Sequence, residues 1–197
     1  TQLVSMMEKL MQKKVSAILC IEAGGLNSTI PFVAAAKLGL PIVDGDAMGR
    51  AFPELQMVSF TLGGITATPM AMIDDKGNGA TFDTISNQWT EKLARALTIQ
   101  MGGSAMVSLY PVTAKECKKY LIKNSLSLIH YIGTVVKEHT FNAFQILAKE
   151  LKGKHLFQAR VRDVERTAGE GFTRGVVKLE GIGAFDGRNA KLDFQNE

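Results

Sequence analysis

The chain has 197 residues, 46% of them hydrophobic and 21% charged. These are globular values that exclude a disordered or fibrous protein and suit one domain, or one domain and a fragment of a second. The net charge of +4 is mild and uneven: 8 basic against 9 acidic residues over 1–110, and 15 against 10 over 111–197.

Leu3, Met6, Met7, Leu10 and Met11 recur at helical spacing and predict a helix over 2–13. Val15 to Ile21 is a continuous apolar run with β-branched residues, which predicts a strand buried on both faces of a parallel sheet. Beyond Glu22-Ala-Gly-Gly25, Asn27 or Ser28 can cap a helix that tolerates Pro31 in its first turn and stops at Gly39. Leu40 to Val43 is a second apolar strand, ended by Asp44. Strand, helix and strand in this order make a βαβ unit, whose crossover is right-handed.

Met57 to Leu62 and Met70 to Ile73 read as strands, Asp74 to Gly79 as a turn, and Ala80 to Ile85 as a returning strand. Ser86 or Asn87 caps a helix with Trp89, Leu93, Leu97 and Met101 on one face, closed by Gly102-Gly103. Ala105 to Tyr110 is a further strand, and helical patterns follow over 114–123, 125–138 and 142–151. From Lys154 the period changes: 157–164, 175–180 and 190–194 alternate apolar with polar, separated by glycine-rich turns at Gly169-Glu-Gly171 and Gly181 to Gly187. The expected fold class is α/β. A mostly parallel βαβ layer with flanking helices occupies 1–151, and an antiparallel β segment of a second, incomplete domain occupies 152–197.

In open α/β sheets, ligands bind beyond the carboxyl ends of the strands. Glu22 and Asp44 stand at two successive strand ends, with Asp46, Arg50 and Glu54 on the loop that follows. Grouped acids of this kind can hold a divalent metal or divide into general acid and base. Their alternative role is structural, with Asp44 and Asp46 capping the next segment and Glu54 paired with Arg50. A functional group of this kind would place Arg50 within reach of at least one carboxylate. Gly24-Gly25 before a helix offers free N–H groups. There is no G-x-G-x-x-G pattern and no following Lys-Ser/Thr, and Glu22 would repel phosphate, so a carbonyl or carboxylate suits the loop better than a nucleotide. Asn27 can donate and accept, which suits an amide-like ligand, or it can serve as an N-cap.

Other chemistry is sparse. His130, His139 and His155 lack ligand spacing, Cys20 sits in an apolar run, and no G-x-S-x-G, H-E-x-x-H or C-x-x-C motif occurs. Lys115, Lys118, Lys119 and Lys123 read as a solvated helix face rather than a nucleic-acid footprint. No window approaches the roughly 18 uninterrupted apolar residues of a membrane helix. The start lacks a signal-peptide pattern, and two cysteines are too few for a disulfide scaffold, so the expected compartment is the reducing cytoplasm.

At Glu22-Ala-Gly-Gly-Leu-Asn-Ser28 and from Gly39-Leu-Pro-Ile-Val-Asp-Gly-Asp46 through Arg50-Ala-Phe-Pro-Glu-Leu-Gln-Met57, the chain resembles the S-methyl thiohydantoin desulfurase family. Ala67-Thr-Pro69, Asp75-Lys-Gly-Asn78, Met101-Gly-Gly-Ser104 and Phe194-Gln-Asn-Glu197 extend the resemblance over the whole sequence. That family was long catalogued as a domain of unknown function, often encoded beside hydantoinase and oxoprolinase genes. The resemblance implies hydrolytic removal of a sulfur substituent from a cyclic imide-like ring, giving a hydantoin. Glu22, Asp44, Asp46 and Glu54 are then the candidate catalytic residues, and Gly24, Gly25, Asn27 and Arg50 the candidate donors to the ring. A divalent metal is left open as a cofactor, in a carboxylate-rich site. The alternative is a non-catalytic hydantoin-binding or accessory subunit of a hydantoinase or oxoprolinase system. In either case the expected partner is a small cyclic molecule, with no nucleic acid and no membrane; a homo-oligomer is left open.

Overall fold

The computed structural model describes residues 1–168 and 173–196, so the turn expected at Gly169-Glu-Gly171 and the terminal Glu197 lie outside the described residues. The chain divides into two units, Thr1–His130 and Tyr131–Glu197.

The first unit opens with α1 (Gln2–Met11), which buries Met7 and ends where Gln12 turns left-handed. An extended segment follows and leads to a loop and then α2 (Ile30–Leu38), whose N-cap is Thr29 and whose stop is Gly39 at φ 65°. Next come β1 (Gly45–Asp46), α3 (Ser59–Leu62), β2 (Met70–Ile73), β3 (Gly79–Phe82), α4 (Asn87–Gln100), β4 (Met106–Ser108), α5 (Ala114–Tyr120) and β5 (Ile122–Lys123). The division between the units falls within α6 (Ser125–Glu138).

The sheets are antiparallel, which corrects the expected parallel layer. β2 lies between β3 and β4, antiparallel to both, and β1 pairs antiparallel with β5. The expected strand–helix–strand unit survives as a single parallel bridge, Ile18 to Ile42. In it the Ile18 N–H donates to the Pro41 carbonyl at 2.9 Å and the Val43 N–H to the Ile18 carbonyl at 2.8 Å. Extension toward residue 16 would need an N–H from position 41, and proline has none. In the other direction, Gly45 and Asp46 are committed to Lys123 and Ile122.

Two further expectations change. The apolar run Met57 to Leu62 is not a strand; it holds the short helix α3, because the Gly63 and Gly64 N–H groups fold back on the Phe60 and Thr61 carbonyls at 3.0 Å each. A short apolar run does not distinguish the two by period. Helix α4 does not bury Trp89 and Leu93, which are 47% and 45% exposed; it turns Asn87, Thr90, Glu91 and Ala94 inward. Polar side chains occupy that face because the loops beneath it need hydrogen-bond partners. The core divides accordingly. One cluster gathers Ala47, Val58, Phe60, Ala67, Tyr110 and Leu121, and the other gathers Met70, Met72 and Ala94, with Leu97 and Met101 packed on it.

In the second unit, α7 (Ala143–Glu150) precedes an antiparallel meander of β6 (Ala159–Ala168), β7 (Thr173–Gly181) and β8 (Asn189–Asn196), with a register shift between Val161 and Asp163. The alternation seen in the sequence sorts this sheet. Lys178 pairs with Asp163 and Glu165, and Arg162 with Glu180, while Val164, Val177 and Leu192 are direct cross-strand neighbours.

Gly45 marks the closest backbone approach that bears on the site. A Cβ there would run into the Leu121 side chain and lie 2.7 Å from the Ile122 carbonyl oxygen, whereas a Cβ at Gly25 would meet nothing within 4 Å. Gly45→Ala is expected to destabilise the protein by about 1–3 kcal/mol through overpacking. Gly25→Ala should stay within about 0.5 kcal/mol. Urea midpoints of the two variants check this, and equal midpoints would remove the packing argument.

Candidate functional site

The residues Glu22 and Asp46 form the centre. Glu22 follows the extended segment that carries Cys20 and is 6% exposed; Asp46 ends β1 and is 0% exposed. Asp46 Oδ2 accepts the N–H groups of Ala23 at 2.9 Å, Met48 at 3.1 Å and Gly49 at 2.5 Å. The last two close a turn of the aspartate's own backbone, and Gly49 takes φ 76° to make it. Glu22 Oε2 accepts the Phe52 N–H at 2.9 Å, and Oε1 accepts the Asn27 amide. The two carboxylates thereby fasten the 22–29 loop to the 46–52 loop. Among the described residues neither forms an ion pair, and Asp46 Oδ1 is buried with no hydrogen-bond partner.

Ser28 completes the first loop, its hydroxyl donating to the Gly24 carbonyl while its own carbonyl accepts Cys20 Sγ at 3.4 Å. Burial, with the charge of Asp46 adding to it, pushes the Cys20 thiol up to about 11.

The other expected residues are placed elsewhere. Asp44 is exposed and faces the start of α6, where its carboxylate accepts the Ser127 N–H at 3.0 Å and the Ser127 hydroxyl at 2.6 Å. Those two bonds hold its pKa below the usual aspartate range. Glu54 accepts the Gln56 side-chain amide. Arg50 is not within ion-pair reach of a carboxylate among the described residues; its Nε donates to the Ala51 carbonyl at 3.2 Å. The physical reason is that the buried carboxylates draw their donors from backbone N–H groups and the Asn27 amide instead. Asn27 is not the cap of α2, since Thr29 holds that position. Gly24 and Gly25 lie between Glu22 and Asn27 on the first loop. The structure thus brings together Glu22, Asn27, Asp46 and the Gly24-Gly25 loop, and does not bring Asp44 or Glu54 into bonding with them. Among the described residues no three His, Cys, Asp or Glu side chains are grouped as metal ligands.

Sequence reasoning missed the groups that hold the second loop from behind. Glu91, on α4 and 8% exposed, accepts the Leu55 N–H at 2.8 Å and Arg95 Nε at 2.6 Å, and Arg95 Nη2 donates to the Pro53 carbonyl at 2.8 Å. The Tyr110 hydroxyl donates to the Leu55 carbonyl at 2.9 Å and lies 3.0 Å from Thr61 Oγ1, which accepts the Asn87 amide at 3.1 Å. The one available signal was the spacing of Glu91 and Arg95, acid and base four apart on a helix.

Comparison with known proteins gives a consistent picture. Residues 1–84 match the family described as S-Me-THD-like, N-terminal domain, and residues 85–197 match S-Me-THD-like, C-terminal domain. No curated protein matches the chain. Among solved structures, the X-ray crystal structure of a protein from Chromobacterium violaceum is 18% identical with a TM-score of 0.72, covering 96% of this chain and 54% of that one. At that identity the likeness is one of fold, and the chain spans about half the length of that protein.

Asp44 allows a test of scaffold against site. Its folded pKa is lowered, so its contribution is present above the unfolded value of about 3.9 and is lost as pH falls through the folded one. Asp44→Ala is expected to cost about 0.5–2 kcal/mol at neutral pH, the scale of a lost helix cap. The difference from wild type should shrink in acid, below the ordinary aspartate range. Urea midpoints across pH check this, and a difference independent of pH would contradict the capping role.

Proposed function

The chain belongs to the S-Me-THD-like family, and from that premise we propose that it hydrolyses the sulfur substituent from an S-methyl thiohydantoin-like ring. Water adds to the ring carbon that bears sulfur, forming a C–O bond as a carboxylate takes one of its protons. That proton passes on to the ring nitrogen, whose double bond to the carbon has opened. The tetrahedral carbon then collapses to a carbonyl, the C–S bond breaks, and the departing thiolate takes up the hydroxyl proton. The products are a ring carbonyl, which makes a hydantoin, and one free thiol.

The observation that carries this reading is the Glu22–Asp46 centre, in which Asp46 Oδ1 has no exposure and no partner among the described residues. A buried polar atom left unpaired costs about 1–3 kcal/mol, and a ring N–H or the reacting water would supply the missing partner. Glu22 is assigned as the base for water, since two donors fill only part of the accepting capacity of a carboxylate. Asn27 retains its amide oxygen as an acceptor for the ring. Arg50, exposed at the rim, keeps guanidinium donors free of any ion pair among the described residues for a ring carbonyl. In this reading Asp44 and Glu54 support the scaffold.

The test is thiol release from an S-methyl thiohydantoin by the whole protein, read with a thiol-reactive dye. Glu22→Gln and Asp46→Asn are each expected to lower kcat/KM by about 10² or more, the scale of a positioned acid–base group. Cys20→Ala should keep its turnover. A wild-type protein that binds the product hydantoin without ever releasing thiol would replace the enzyme by the accessory, ring-binding subunit.

A further inference from the structure

We propose that Glu91 and Arg95 are positioning residues for Glu22, acting on it through the backbone of Phe52 to Leu55. The inference rests on the reading that Glu22 is the base, and it adds a control that lies outside the site.

Three backbone groups between Pro53 and Leu55 are held from behind. Arg95 holds the Pro53 carbonyl, Glu91 the Leu55 N–H, and Tyr110 the Leu55 carbonyl, at 2.8, 2.8 and 2.9 Å. Proline fixes its own φ near about −65° and confines the residue before it to extended conformations. A segment with Pro53 pinned therefore transmits its position stiffly to Phe52, the residue whose N–H meets Glu22 Oε2 at 2.9 Å. Arg95 is half-exposed and adds little as an ion-pair partner, whereas Glu91 is buried and its removal also costs stability, so the kcat of folded variants is what separates positioning from scaffold. Glu91 spends one carboxylate oxygen on Leu55 and the other on Arg95, so what the pair determines is where the loop sits. Glu91 and Arg95 also lie in the part that matches the C-terminal family domain, whereas Glu22 and Phe52 lie in the part that matches the N-terminal one.

Two measurements on the whole protein test this. The first is amide hydrogen exchange without substrate in Glu91→Ala, Glu91→Gln and Arg95→Lys. Loss of protection at Phe52 and Leu55 is expected in Glu91→Ala, with partial recovery in Glu91→Gln, which keeps an acceptor for Leu55. Arg95 is 45% exposed in its side chain, so Arg95→Lys tests the fork even if Glu91→Ala fails to fold. The second is steady-state thiol release. Displacement of a reacting group by about 1 Å can cost about 10²-fold, so kcat should fall toward that scale with KM little changed. In a Glu22→Gln background, Arg95→Lys should cost no further kcat while its effect on the melting midpoint persists. Unchanged Phe52 protection, or unchanged kcat in a wild type that does turn over, would overturn the proposal. A wild type that releases no thiol defeats the desulfurase reading instead, and the exchange experiment then decides the clamp by itself.

Discussion

A carboxylate without solvent or a neighbouring cation must be surrounded by donors, and at Asp46 all of them are backbone N–H groups. That requirement fixes much of what surrounds it. Ala23 must approach from one loop and Gly49 must turn left-handed on the other. β1 must also lie close enough to β5 that only glycine fits at position 45. Glu22 repeats the arrangement at lower density, with one backbone and one side-chain donor. Neutral donors are short-ranged and directional, so two negative groups held this way specify loop geometry more tightly than diffuse surface charge could.

The division suggested by the family matches differs from the division in the structure. The matches meet between residues 84 and 85, yet the first compact unit continues to His130. The bonds that cross residue 84 explain the difference. Asn87 Oδ1 accepts the Ala67 N–H at 2.7 Å, its amide nitrogen donates to the Ile65 carbonyl at 3.1 Å, and the Asp44 carboxylate accepts the Ser127 N–H at 3.0 Å. From Asn87 through Thr61 and Tyr110 to Leu55 the hydroxyls and amide form a connected chain, in which each member polarises the next. The loops of residues 22–55 are thus shaped by side chains from 87–127.

What could be read in the sequence was local. The helix expected over 125–138 is α6 to the residue, Ser86 caps α4, accepting the Trp89 N–H at 3.3 Å, and the antiparallel texture beyond residue 154 is the β6–β8 meander. Each follows from period or cap chemistry within a few residues. The parallel layer was misread because apolar runs report burial and not partner direction. Pro41, which forbids the next rung, was in plain view, but its effect depends on which strand lies beside it. Asp44 and Asp46 are two residues apart at one strand end and nothing local separates them. Only the partner does, and Ser127 stands 83 residues from Asp44. Glu91 was hidden for the converse reason, since a buried acid on an amphipathic helix looks like any solvated one until Leu55 is placed beneath it.

The nucleophile in the proposed reaction also follows from this electrostatics. Cys20 is an intrinsically reactive side chain, but burial and the charge of Asp46 push its thiol up to about 11, away from the thiolate. A covalent route through Cys20 would have to ionise a thiol against both burial and the charge of Asp46. Water needs no prior ionisation, because its proton can pass to a carboxylate as the C–O bond forms. The same negative charge favours a proton on the ring nitrogen beside the sulfur-bearing carbon, and protonation there makes that carbon more electrophilic. A site that suppresses its own thiolate is therefore suited to neutral water attacking a proton-bearing ring.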